Sequence, residues 1–426
     1  MDVRSVCRTD SAMTSVTDRK EWQKTLKGLD IMAMNKGPFR NVDNFAGLRW
    51  AVTKRIALDR VDIELVRGNG MLVPRRNHFT FLCHMNYLDI ARVLVESGSV
   101  GSEVDENKNS PLITAAMCGD APLCKALLSA GANANMTASD GYTPLMFASI
   151  HGHTDALRVL IKAGADVNRK NDSGHSALCL ARNEPDHAQC VNILISEGTK
   201  LDSVDRDGHS PLFLACIEGY HAKVESLVKA GADIHFTHHE NRKQPLLVAA
   251  QNGFSDVVKL LVEAECDVNY APPSGVTAVM LAATNGHLEV VKILLGEGRA
   301  DVNQLSAERG TALIYTCLQG HMEMVLFLIG SGADLNTRNR SGWDALVHAA
   351  CKGHTAVCLA LLDAGIALQP EYFIADSNRN PVKVALQERH FNTARALRER
   401  LRAVEEGEGE EEEGEVASTP YVYKKI

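Results

Sequence analysis

A small set of residue types returns every 33 or 34 positions through this chain. The apolar residues Leu112, Leu145, Leu178, Leu212, Leu246, Val279, Leu313 and Leu346 are separated by 33, 33, 34, 34, 33, 34 and 33 residues. Three residues after each stands a small side chain: Ala115, Ala148, Ala181, Ala215, Ala249, Ala282, Thr316 and Ala349. Seven after each stands Gly119, Gly152, Gly219, Gly253, Gly286, Gly320 or Gly353, with Pro185 the exception. Three registers in phase over eight copies mean a chain built from one supersecondary unit, which buries its apolar side by stacking against its neighbours.

One copy shows what the unit is. In "TPLMFASIHG", Thr143 is a candidate N-cap and Pro144 suits a first helical turn. Gly152 ends that short helix. In "TDALRVLIKAG", Leu157, Leu160 and Ile161 recur at helical spacing. Gly164 supplies a left-handed C-cap. "ADVN" then leads through an extended loop to the next "DSG" turn, so each unit reads helix, turn, helix, loop.

The period, with "DGYTPLMFA" (140–148), "GHLEVVKILL" (286–295) and "GADVN" (164–168), resembles the ankyrin repeat, over about Phe79 to Ala403. The resemblance implies an all-α repeat solenoid: an ankyrin array of about eight full repeats plus degenerate capping repeats. One departure is consistent. Where ankyrin repeats usually read T-P-L-H, the histidine position holds Ile113, Met146, Cys179, Phe213, Leu247, Met280, Ile314 and Val347. Apolar packing is expected in place of a histidine–threonine hydrogen bond.

The repeat also decides how to read "SIHGHTD" (149–155), whose histidines and aspartate are acceptable metal ligands. Gly-His recurs at Gly152-His153, Gly286-His287, Gly320-His321 and Gly353-His354. One histidine per repeat, at the same turn, cannot converge on one ion, so His153 is expected to be scaffold. His151 sits at a position that varies between copies and is expected on the surface.

The ends and irregular copies follow. Residues 79–98 read as a degenerate first repeat and 380–401 as the last, with Arg395, Arg398, Arg400 and Arg402 on a solvated terminal face. The domains expected are 1–75, an N-terminal region with Trp22 and Trp50 but no repeat; 76–403, the array; and 404–426, an acidic disordered tail. The default for the tail is a solubilising segment; the alternative is a ligand for a basic partner, with "TPYVY" as a short docking or phosphorylation site. The third repeat carries Pro185 at its turn and an extra residue before Gly198, so a bend or longer loop is expected there. In the fifth, Glu265 replaces the C-cap glycine.

Composition limits the chemistry. Net charge is −8, and eight glutamates lie between Glu405 and Glu415, so the rest is near neutral. A neutral body gives no electrostatic reason to bind nucleic acid or an anionic membrane. The eleven cysteines are scattered and form no C-x-x-C, against a zinc ribbon or a disulfide framework. No leader-like apolar segment or membrane span is read, and the reducing cytoplasm or the nucleus is expected. "RGNG" (67–70) lacks the strand and helix that a phosphate loop needs, and no hydrolase, zincin or kinase motif appears. "HFTHHE" (235–240) groups His235, His238, His239 and Glu240, and is expected to be a polar hairpin tip.

The reading is therefore of a non-enzyme without metal or cofactor. It is a scaffold or adaptor that binds protein partners through hairpin tips and, as the resemblance implies, the concave face of the inner helices. The alternative is a regulatory subunit or inhibitor of an enzyme that uses the same surface. A catalytic site within 1–75 ranks last, because that segment is too short for a typical catalytic domain. Most tips are polar, but three successive ones present Phe236, Tyr270, Pro272, Pro273 and Leu305, and aromatic residues at exposed tips are enriched in interface hot spots. Beside the tips, just before the inner helices, come Tyr142, His175, His209, Lys243 and Trp343. Partner-binding candidates are Phe236, Tyr270, Pro272, Pro273, Leu305, Trp343, Tyr142, His151, His175 and His209. For Phe236 and Tyr270 an equal alternative is that they staple neighbouring hairpins together.

Overall fold

The computed structural model describes residues 79, 83, 88–96, 104, 105, 107–182, 185–367 and 378–407. The N-terminal region with Trp22 and Trp50 and the tail beyond 407 lie outside the described residues. Two compact units are present, the first Met1–Pro211 with Lys229–Ala232, the second Leu212–Val228 with Asp233–Ile426. The described residues form helices and no strand, and the fold is an all-α repeat solenoid.

The first unit contains α1 (Leu88–Glu96), α2 (Pro111–Cys118), α3 (Ala121–Ser129), α4 (Pro144–Ile150), α5 (Thr154–Lys162), α6 (Ala177–Leu180) and α7 (Pro185–Ser196). Inner helices α2, α4 and α6 pack side by side, as do outer helices α1, α3, α5 and α7. Next come α8 (Pro211–Glu218) and α9 (His221–Lys229), in which the division falls. The second unit continues with α10 (Pro245–Asn252), α11 (Ser255–Glu263), α12 (Ala278–Thr284), α13 (Leu288–Gly296), α14 (Ala312–Gln319), α15 (Met322–Gly330), α16 (Ala345–Cys351), α17 (Thr355–Asp363), α18 (Pro381–Gln387) and α19 (Phe391–Gly407). Its inner row is α10, α12, α14, α16 and α18.

Most inner helices start at a residue whose side chain caps them, while Gln244, before α10, makes no such bond. The Thr143 hydroxyl accepts the Met146 N–H at 3.2 Å, and Ser110, Ser176, Thr277, Thr311, Asp344 and Asn380 cap in the same way. Such a cap contributes about 1 kcal/mol. The residues that replace the expected T-P-L-H histidine are all buried, from Ile113 to Val347. Each large aliphatic one contributes roughly 2 kcal/mol of apolar burial.

The histidines of the inter-helix turn stitch one repeat to the one before. Nε2 of His153 lies 3.0 Å from the carbonyl of Met117, and that of His287 3.0 Å from Gln251. His321 reaches Thr284 at 3.1 Å and His354 reaches Leu318 at 3.2 Å. A carbonyl only accepts, so each Nε2 carries the proton. Each ring lies over the turn glycine of the preceding repeat, which leaves no room for a Cβ at Gly119, Gly253 and Gly320 and only a tight fit at Gly286. His153 is thus scaffold, and the exposed His151 is not.

Asparagines in the "ADVN" loops make a second set of stitches. Asn135 Oδ1 accepts the Asp166 N–H at 2.7 Å while its amide donates to the Gly164 carbonyl at 3.0 Å. Asn168, Asn269, Asn303 and Asn336 likewise bond the next repeat within their own units.

The irregular copies take defined forms. In the third repeat the inner helix stops after four residues at Leu180, and Ala181 is extended with ψ 130°. The outer helix begins early, at Pro185, and runs for 12 residues. In the fifth, Glu265 adopts φ 60°, the left-handed C-cap conformation that Gly131, Gly164, Gly198, Gly231, Gly332 and Gly365 hold in other repeats.

Candidate partner-binding surface

The hairpin tips are joined to one another by their backbones. In the first unit Asp172 N–H donates to Asp140 O at 2.9 Å, and Arg206 N–H to Ser173 O at 3.0 Å. In the second, Ala307 N–H donates to Ser274 O and Arg340 N–H to Glu308 O, both at 2.9 Å. Inside each hairpin a short acceptor folds the turn back on itself. Asn171 takes the His175 N–H at 2.8 Å, Asp205 takes His209 N–H at 2.8 Å, Ser306 takes Gly310 N–H at 2.9 Å, and Asn339 takes Trp343 N–H at 2.9 Å. These acceptors share one register; the turns are Asx-type at 171, 205 and 339 and use a serine hydroxyl at 306.

In the first unit His175 and His209 meet on one carboxylate. Asp205 Oδ2 lies 3.2 Å from His175 Nε2 and 3.3 Å from His209 Nδ1, with the Asp205 side chain buried. Burial alone pushes the Asp205 carboxyl upward. The His209 backbone N–H and the imidazoles of His209 and His175 outweigh that and hold it below the ordinary carboxylate range. Asp205, Asp207 and His209 are, among the described residues, the one group with metal-ligand atoms within 4.8 Å of each other. Both Asp205 oxygens are already engaged, so the group reads as a knot that ties two tips together. Tyr142 is half-buried, its ring 5.5 Å from that of Phe147. His151 faces solvent with its ring 5.8 Å from His153. Partial burial, then the neighbouring His153, Arg182 and His187, keep it below its usual pKa.

The second unit holds the apolar tips. Phe236 is half-buried, edge-on to the Phe213 ring at 6.2 Å. The Tyr270 hydroxyl donates to the Arg242 carbonyl at 2.7 Å, and Pro272 is buried. These contacts are those of the stapling alternative for Phe236 and Tyr270. Pro273 is exposed, and Leu305 is 41% exposed. The "HFTHHE" tip is less polar than its composition implies, since His238 is buried and stacked on Phe213 at 5.5 Å. Lys243 donates from Nζ to Gln251 Oε1 at 2.5 Å, and burial lowers its pKa.

Trp343 is half-buried against His348, ring centres 5.2 Å apart. Asn339 Oδ1 is occupied by the Trp343 N–H, so the Asn339 amide N–H faces His348 Nε2 at 2.9 Å. His348 Nε2 therefore accepts and Nδ1 carries the proton, buried without an acceptor among the described residues. Burial brings the His348 pKa down to about 4. Sequence reading missed Asp205 and His348 and took His238 for part of a polar tip; for Asp205 the signal was the register it shares with Asn171, His238 and Asn339.

A family model described as ankyrin repeats in three copies matches residues 79–171, 164–238, 222–306 and 313–405. The chain belongs to the ankyrin-repeat family. No curated protein matches it. Ankyrin repeats generally mediate protein–protein interaction, and no helix among the described residues is long and apolar enough to cross a membrane.

Proposed function

We propose that this chain is a protein–protein interaction scaffold or adaptor without catalysis of its own, which takes a protein partner on its hairpin tips and the adjoining inner-helix surface. The observation that carries this reading is the joined row of tips in the second unit. Pro273 and Leu305 stand exposed on successive hairpins bonded through Ser274 and Ala307, and Trp343 stands on the next. Phe236, Tyr270 and Pro272 act beneath them by holding the hairpins in place. Tyr142, His151, His175 and His209 are the corresponding candidates of the first unit. A preset apolar row limits the ordering cost of binding. The cytoplasm or nucleus is the compartment, supported by ten described cysteines that are all free. Burial, foremost, pushes the Cys124, Cys266 and Cys358 thiols up to about 12 and so keeps them unreactive.

The test is capture from cell extract by the full chain and by the double variant Pro273→Ser, Leu305→Ser. Both positions are solvent-facing, so the fold survives, and loss of about 2 kcal/mol of partner affinity is expected. Capture of the same proteins with unchanged affinity would show that the partner sits elsewhere. An enzyme among the captured proteins whose activity changes on binding would favour the regulatory-subunit reading.

A further inference from the structure

The last repeat leaves open a face that the regular interior repeats cover. Of the positions equivalent to Leu386, Ala116, Ser149, Cys216, Ala250, Ala283, Cys317 and Ala350 are buried and Arg182, in the irregular third repeat, is exposed; Leu386 is 40% exposed. Phe391, at the start of α19, is 64% exposed, more than any other large apolar side chain among the described residues. The turn position on which the next repeat's ring rests is glycine at 119, 219, 253, 286, 320 and 353, and Arg389, at φ 64°, here. Another repeat cannot dock over Arg389 in the same way.

The outer helix of this repeat is also different. α19 is 17 residues long, against nine in α11, α13, α15 and α17. Phe391, Arg395, Arg398 and Arg402 follow at spacings of 4, 3 and 4, which places them along one face. All four are exposed. Arg400, off that face, pairs with Asp363 at 2.7 Å, while Arg395, Arg398 and Arg402 pair with no described residue. The face is a basic stripe that leads back from the end of the helix to an uncovered phenylalanine.

The chain continues past Gly407 with the complementary order. Glu408, Glu410, Glu411, Glu412, Glu413 and Glu415 come first, then "VASTPYVYKKI". From Phe391 to Gly407 the helix rises about 24 Å. Residues 408–415 in extended form span roughly 26 Å. The acidic run therefore matches the stripe in length as well as in sign, and brings the apolar end to Phe391 and Leu386.

We propose that residues 408–426 turn back antiparallel along α19, with their glutamates on Arg402, Arg398 and Arg395, and lay the "TPYVY" segment over Phe391 and Leu386 as a removable cap on the end of the array. A second copy is a poorer occupant, because a two-fold contact on this face brings two arginine stripes together.

Photo-crosslinking of the full chain with p-benzoylphenylalanine in place of Phe391 tests this. At low salt, mass spectrometry is expected to find an intramolecular cross-link to residues 416–426. Its yield is expected to fall at least about fivefold near 1 M salt, where the Debye length is only about 3 Å. The same loss is expected in the variant Arg395→Gln, Arg398→Gln, Arg402→Gln, whose melting temperature stays unchanged. A cross-linked dimer, a link to residues outside 408–426, no link, or a yield insensitive to both salt and the glutamine variant overturns the proposal. The salt series on the unmutated stripe keeps the test valid even if the triple variant misfolds.

Discussion

The repeats at 177–196 and 278–296 perform the same stacking with different backbones. In the second, α12 keeps seven residues, Gly286 turns, and His287 precedes α13 and reaches the Gln251 carbonyl. In the first, α6 has only four residues and α7 takes up the rest of the connection from Pro185. His187 now sits inside a helix, yet its Nε2 still lies 2.8 Å from the Ile150 carbonyl, the equivalent acceptor. The bond from one repeat to the preceding one is what the fold retains, and the turn around it is free to change.

Exchanging the turn residues is the harshest way to break that comparison. Gly286 sits at φ 78°, and proline fixes φ near −65°, so Gly286→Pro is expected to cost more than about 3 kcal/mol. Pro185→Gly, at the start of a helix, is expected to cost less than about 1 kcal/mol. Urea melts of both variants check the contrast, and equal effects would show that the two turns are not distinct.

Acid separates two of the hairpin joints, those of His348 and Asp205, by a different route. The His348 pKa is depressed to about 4 by burial. The unfolded chain then takes up a proton below the ordinary imidazole range that the folded chain refuses. Stability is complete above about pH 6.5 and falls toward pH 4 by as much as about 3 kcal/mol. Protonation also sets two donors face to face at Asn339, so Trp343 fluorescence is expected to change with a midpoint near 4. The Asp205 carboxyl is depressed as well, with the opposite chemistry: its contribution is present above the ordinary carboxylate pKa and is lost only as pH falls below it. Phe in place of His348 is expected to remove the first loss and leave the second.

A pair of alanine substitutions sharpens the role of the turn glycine. Gly253 and Gly231 both have positive φ, 80° and 86°. A Cβ at Gly253 meets the His287 ring at 2.5 Å, while nothing lies within 4 Å at Gly231. Gly231→Ala is expected to cost about 1 kcal/mol of backbone strain, and Gly253→Ala about 2 because the His287 bond is displaced too. The smallest expected effect is a gain. Glu265→Gly relieves φ 60° and stabilises by at most about 0.5–1 kcal/mol, read as a small rise in melting temperature.

The sequence made the helices, their caps and the turn geometry legible, because those depend on residues within a few positions of each other. Thr143 and Met146, or Glu265 and its φ, are local. The tips were harder. Which side chain meets Asp205 is settled by His175, 30 positions away, and the Tyr270 hydroxyl finds a carbonyl 28 positions back. Asn171, Asp205, Ser306 and Asn339 fill one structural role with three residue types, so no single identity recurs through the array to reveal it. An aromatic residue in a loop looks like an interface residue until the neighbouring loop is in view, and that is why Phe236 and Tyr270 turn out to be engaged.

The arginine at position 389 also sets where this array can lengthen. The repeats of Gly286, Gly320 and Gly353 each receive an imidazole on that glycine and offer one to the repeat before, so a duplicate of any of these copies carries both halves of the joint. The final copy offers His390 to Gly353 and has no matching seat of its own. Duplication at the end therefore yields a repeat with nothing to fasten to, whereas duplication inside the row inserts without altering any existing joint. Growth of such a protein is expected to be internal, with its last repeat carried along unchanged.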